Sequence, residues 1–149
     1  MQMLESRRDE IIALRRHFHE NPELSFHEEE TARYIADFYR GKDVDVQTNV
    51  GGNGIIVTIK GGRPGKTIAL RADFDALPIQ EETGLPFASK VPGVSHMCGH
   101  DGHTAYMMVL ADCLIQMKNE IPGTIKIIHQ HGEELTPGGA KGIVESGLL

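Results

Sequence analysis

Apolar residues recur at helical spacing from the start of the chain. Leu4, Ile11, Leu14 and Phe18 share one face of a helix predicted over 3–20. Asn21-Pro22 ends it, because proline disfavours helical backbone in the residue before it. Ser25 with Glu28 three residues later reads as a capping box, opening a helix that carries Thr31, Tyr34, Ile35 and Phe38 and stops at Gly41. The texture then turns to strand. Val44–Gln47 alternates, 49–54 is a turn, and Ile55–Ile59 is largely β-branched. After a glycine-rich loop at 61–65, Thr67–Leu70 reads as the second arm of a hairpin. Residues 73–99 look irregular, with Pro78, Pro86 and Pro92. Loops longer than about 12–15 residues are often functional. A helix at Thr104–Lys118, a strand at Thr124–Ile128, a turn at Gly138-Gly139 and a short helix at Ala140–Ser146 complete the series. The fold class is α/β, a mixed β-sheet layered by helices.

Composition supports a packed core. The chain has 149 residues, 40% of them hydrophobic and 24% charged, which excludes a disordered, collagenous or disulfide-stapled chain. The formal net charge is -6, and no basic run exceeds Arg7-Arg8 or Arg15-Arg16, which argues against nucleic-acid and anionic-membrane partners. No apolar run approaches the roughly 18 residues of a membrane span. Met1–Glu10 is charged where a signal peptide would be apolar, so a cytoplasmic location is expected. One feature departs from the ordinary: of 8 histidines, five are His96, His100, His103, His129 and His131.

Three groups of residues carry candidate chemistry. In Cys98-Gly99-His100-Asp101-Gly102-His103, an extended backbone puts Cys98 and His100 on one side, where thiolate and imidazole suit zinc. Asp101 could orient a histidine ligand or cap the next helix. A histidine-rich loop with a buried free thiol is the plainer reading. Glu133-Glu134 follows the strand near His129, so one carboxylate could ligate a metal while the other serves as general base. A solvated acidic pair is the alternative. Asp73-Phe74-Asp75 lies beyond the strand Thr67–Leu70 and suits a metal at the carboxyl edge of a sheet, or simple turn chemistry. Their shared position at strand ends makes the three groups one constellation.

These residues resemble the zinc amidohydrolases that include hippurate hydrolases, N-acyl-amino-acid deacylases and auxin-conjugate hydrolases, within the aminoacylase/carboxypeptidase clan. The resemblance runs from His19-Glu20-Asn21-Pro22-Glu23-Leu24-Ser25 through Arg71-Ala72-Asp73-Phe74-Asp75-Ala76-Leu77-Pro78. It is strongest at His96–Thr104 and closes at Glu133-Glu134 and Gly138-Gly139-Ala140. It implies the N-terminal part of a di-zinc peptidase-like catalytic domain, with Cys98, His100 and Glu134 as metal ligands. Glu133 matches the general base toward a metal-activated water, and Asp75 matches the aspartate that supports the site. Asp73 stands where distant relatives carry a ligand histidine, and its role is open.

The resemblance further implies two divalent ions in the complete enzyme, zinc first with manganese or cobalt as alternatives, and an N-acyl amino acid as the small-molecule substrate. Two departures stand out. His129-Gln130-His131-Gly132 replaces the family's Phe-Gln-Pro-Ala, and the extra imidazoles are expected either behind the metal ligands or at the surface. The family's downstream histidine ligands and inserted dimerisation (lid) domain also have no counterpart before Leu149. Residues 1–149 are therefore expected to form a partial catalytic domain, inactive in isolation, with the complete protein a homodimer through the lid. A truncated, non-catalytic metal-binding relative is the alternative. A magnesium phosphohydrolase is a third reading from Asp73-x-Asp75, but Ala76-Leu77-Pro78 replaces the Gly-Thr expected after the second aspartate.

Overall fold

The computed structural model describes residues 2–149. The elements in chain order are α1 (Gln2–Glu5), α2 (Arg8–Glu20), α3 (Glu29–Phe38), β1 (Asp45–Val50), β2 (Gly54–Lys60), β3 (Arg63–Asp73), α4 (His100–Gln116), β4 (Pro122–Gln130) and α5 (Gly139–Glu145). A 3-10 turn at Lys118–Glu120 links α4 to β4.

The four strands form one sheet in the order β1-β2-β4-β3. β2 pairs antiparallel with β1 and with β4, whereas β3 pairs parallel with β4. The expected hairpin between Ile55–Ile59 and Thr67–Leu70 is therefore not formed. The hairpin is β1–β2, and β4 is inserted between β2 and β3. Local alternation cannot show which strand a later segment will separate. β4 belongs at the centre because both its faces find apolar cover. Ile125 and Ile127 join Ile55, Val57 and Ile59 of β2 in the main core, while Ile128 meets Val50, Ile56 and Ile143 on the other face.

The main core is closed by Leu14 and Phe18 of α2, Ile35 of α3, and Ala105, Met108 and Val109 of α4. α5 covers the opposite face through Ile143. The first predicted helix is divided between α1 and α2, with a break at Ser6–Arg7. Arg7 is held at this break by Glu10 and by Asp112 of α4.

The β3–α4–β4 crossover positions the site. Parallel pairing, with Asp73 opposite Gln130, brings the carboxyl ends of β3 and β4 to one edge. The connecting helix starts at that same edge. α4 begins at His100, four residues before the sequence predicted, so His100, Asp101 and His103 occupy its first turn. Gly99 precedes them at φ 102°, a left-handed conformation that suits glycine. Among the described residues, no helix is long and apolar enough to cross a membrane.

Candidate metal centre

Three sequence groups converge at the carboxyl edge of β3 and β4. Ligand atoms of Cys98, His100 and Glu134 all lie within 4.8 Å of one another. His100 is buried at the start of α4, and its Nε2 is 3.7 Å from Glu134 Oε1 and 3.8 Å from Glu133 Oε2. The two glutamates thus approach a common point and do not project to opposite sides. β4 ends at Gln130, so strand alternation no longer applies at 133–134. Glu134 Oε1 is buried without a hydrogen-bond partner. Such an orphaned acceptor beside a thiol and an imidazole nitrogen fits a borderline-soft divalent cation.

Asp75 organises this centre. It is buried at the end of the β3 edge, and its Oδ1 and main-chain oxygen are each 3.0 Å from His100 Nδ1. Its Oδ2 accepts from Ser25 Oγ at 2.7 Å and from the Glu134 N–H at 2.9 Å. Burial alone would raise the carboxyl pKa, but the bonds from His100, Glu134 and Ser25 together hold it below the usual value. Burial likewise opposes charge on His100. The Asp75 bond and the Asp73 charge outweigh it and raise the imidazole to about 9. The Cys98 thiol is raised chiefly by the adjacent Glu134 carboxylate, then by burial and the other surrounding carboxylates.

Asp101 does not orient His100, contrary to one sequence reading. Its Oδ1 accepts from the Gly102 N–H at 2.8 Å, within the first turn of α4. Its Oδ2 is 2.7 Å from His19 Nδ1 and 2.8 Å from Arg15 Nε. His19 Nε2 in turn faces Glu81 Oε1 at 3.2 Å. This buried network ties α2 and the 73–99 loop to the start of α4. His96, pushed down to about 4 chiefly by burial, lies beside it.

The capping box at Ser25–Glu28 is also corrected. Ser25 serves Asp75, and the fully buried Glu28 accepts from Gly132 N at 2.7 Å and from Asn53 Nδ2 at 3.2 Å. The first N–H groups of α3 are satisfied by Glu23, which receives Thr31 N at 2.7 Å. Local spacing suggested a helix cap; tertiary contacts turned Ser25 to Asp75 and Glu28 to the loop before Glu133.

The unusual histidines at the end of β4 and just beyond it lie in the interior, not at the surface. His129 is fully buried, its Nε2 2.8 Å from Tyr39 Oη, and burial lowers its pKa to about 3. His131 is buried with neither ring nitrogen bonded, against Phe26, Gly52 and Gly139. A Cβ at Gly139 would stand 2.0 Å from the His131 carbonyl oxygen, so the chain passes here because residue 139 has none.

On the other side of His100, Asp73 is buried, and its Oδ2 receives Arg71 Nη2 at 2.9 Å. Its Oδ1 is 2.7 Å from His103 Nδ1 and 3.5 Å from His100 Nε2. Residue spacing marked Ser25 and Glu28 only as a helix cap and did not mark Arg15 or Glu81, because all four act over long sequence separations. His19 lay inside the quoted motif without an assigned role.

Comparison with known proteins places this geometry in context. The family description "Peptidase family M20/M25/M40" matches residues 69–149, just over half of the chain. The YhaA protein of Bacillus subtilis is 56% identical over 141 residues, covering 95% of this chain and 36% of YhaA. An N-acyl-L-amino acid amidohydrolase of Geobacillus stearothermophilus is 44% identical over 140 residues, covering 94% of this chain and 38% of that protein. The solved structure of Bacillus subtilis YXEP, a dinuclear metal binding peptidase from M20 family, superposes with a TM-score of 0.88 at 44% identity over 99% of this chain and 40% of that one. The chain thus spans a little over a third of the length of these relatives.

Proposed function

Because the chain belongs to peptidase family M20/M25/M40, we propose that it forms part of a metal-dependent amidohydrolase that cleaves the amide bond of N-acyl amino acids, such as N-acetyl or hippurate-like substrates. The observation that carries the proposal is the buried, unpartnered Glu134 Oε1 beside Cys98 and His100, with Glu133 at the same point. Cys98, His100 and Glu134 are the proposed ligands, and zinc suits this donor set, with manganese and cobalt as alternatives. When bound, a divalent ion supplies Lewis acidity toward water and the substrate carbonyl.

The protein's own residues divide the remaining work. Asp75 fixes the ring of His100 through Nδ1, leaving Nε2 directed at the centre, as an outer-shell carboxylate does. It also holds Glu134 through the main-chain N–H. Glu133, whose side chain is 39% exposed, stands on the open side of the centre. There it takes a proton from the attacking water and returns it to the leaving amine, so one carboxylate acts first as base and then as acid. The products are a carboxylic acid and a free amino acid. The phosphohydrolase reading is disfavoured because Asp75 is already committed to Ser25, His100 and Glu134.

The activity is proposed for the full-length protein, to which residues 1–149 contribute a partial catalytic domain. A cytoplasmic location accords with the free thiols of Cys98 and Cys113, since reducing conditions preserve Cys98 as a donor. The test is Glu133→Gln in the full-length protein, with metal content and hydrolysis of N-acetyl amino acids measured together. The expected result is loss of turnover with metal retained. Near-normal turnover would refute the role of Glu133.

A further inference from the structure

A second set of donors meets at His100 and is not used by the proposed function. Ligand atoms of Asp73, His100 and His103 also lie within 4.8 Å of one another. They are well prepared for a cation. Arg71 occupies Asp73 Oδ2 at 2.9 Å, so Oδ1 is the oxygen presented to the two histidines. His100 Nε2 is 3.5 Å from that oxygen, close to the roughly 3.3 Å separation of two ligands placed about 2.0–2.1 Å from a tetrahedral ion. His103 Nδ1 is too close, at 2.7 Å, because it is hydrogen-bonded to the same oxygen. Its side chain is 53% exposed, leaving it free to withdraw by the required distance of about 0.6 Å.

The two sets cannot both use His100. Its Nδ1 is turned to Asp75, and the single lone pair of Nε2 serves one ion at a time. The sets also differ in chemistry. Cys98 and Glu134 add a soft thiolate, whereas Asp73 and His103 add oxygen and nitrogen alone. Thiolate favours zinc, while carboxylate and imidazole accept harder ions such as manganese.

We propose that Asp73, His100 and His103 form a second cation site that competes with Cys98 and Glu134 for His100 Nε2, so that the softness of the ion selects the donor set. The inference rests on the proposed function only in taking Cys98, His100 and Glu134 as the competing site.

The test measures zinc and manganese affinity of the metal-free chain and its variants by calorimetry, with circular dichroism confirming that each is folded. Cobalt absorption reports separately whether sulfur is bound. Cys98→Ser is expected to weaken zinc at least about tenfold and manganese less than about threefold, since even outer-shell changes cost 10–100-fold. His103→Ala, and independently Asp73→Asn, should produce the reverse pattern. Cobalt bound to Cys98→Ser should lack sulfur-to-metal charge-transfer absorption and should be lost on adding His103→Ala. Unchanged manganese affinity in both His103→Ala and Asp73→Asn would overturn the second site while leaving the first intact. Unchanged zinc affinity in Cys98→Ser would instead overturn the ligand assignment in the proposed function.

Discussion

Asp75→Asn isolates the charge at the middle of the centre while keeping the size of the side chain. In the native site three donors converge on this carboxylate: Ser25 Oγ at 2.7 Å, Glu134 N at 2.9 Å and His100 Nδ1 at 3.0 Å. An asparagine oxygen can still accept from His100, but its NH2 then faces Ser25 and the Glu134 N–H. The Ser25 hydroxyl can rotate and accept instead. The amide of Glu134 cannot, and an orphaned buried donor costs about 1–3 kcal/mol. Loss of charge from the surviving bonds adds about 1 kcal/mol each, because charge-assisted bonds are roughly twice as strong as neutral ones. The sum is about 3–5 kcal/mol, the range expected for breaking a buried pair. Urea unfolding of the metal-free chain measures this loss, and zinc titration should show affinity reduced about 10–100-fold. A stability loss below about 1 kcal/mol together with unchanged zinc affinity would refute the view that Asp75 organises His100 and Glu134.

Other outcomes follow from groups farther from the centre. Burial keeps His129 neutral, with a pKa of about 3 against an ordinary value of 6.5. Below pH 6.5 the unfolded chain takes up a proton that the folded chain refuses, so this contribution to stability, present above pH 6.5, is lost as pH falls toward 3. The loss approaches about 1.4 kcal/mol per pH unit. His129→Gln retains an acceptor for Tyr39 and should remove one proton from the pH dependence of unfolding free energy between about pH 6 and pH 4; an unchanged slope would contradict it. Glu28→Ala orphans the Gly132 N–H and should cost about 1–3 kcal/mol. Faster amide exchange over Gly132–Glu134 is the accompanying signature, and unaltered exchange there would show that Glu28 does not hold the loop.

The sequence and the structure agree best where information is local. α3, β2 and β4 contain the apolar residues that predicted them, α2 contains all but Leu4 of its set, and the three chemical groups do meet at one sheet edge. Disagreement appears where tertiary contacts override a local pattern. Ser25 and Glu28 have capping-box spacing, yet each finds a partner many residues away, at Asp75 and Gly132. Thr67–Leu70 reads as a hairpin arm because β4, which separates it from β2, lies more than fifty residues further on. Cys98 and His100 read as alternate positions on an extended chain, whereas Gly99 turns the backbone and His100 begins a helix. The motif located the site; the orientation of its side chains depended on residues the motif does not contain.

The parallel pairing of β3 with β4 also governs when the centre can come into being. Asp73, His100 and Glu134 arise from three separate segments, and no local turn or hairpin brings them together. Their meeting awaits closure of the long β3–α4–β4 loop, a non-local event that is slow because its entropy must be spent before its contacts form. A cation that prefers the assembled donors would therefore bind after this closure and slow its reversal. The centre would act as a late latch on the crossover, protecting it from unfolding far more than it hastens folding.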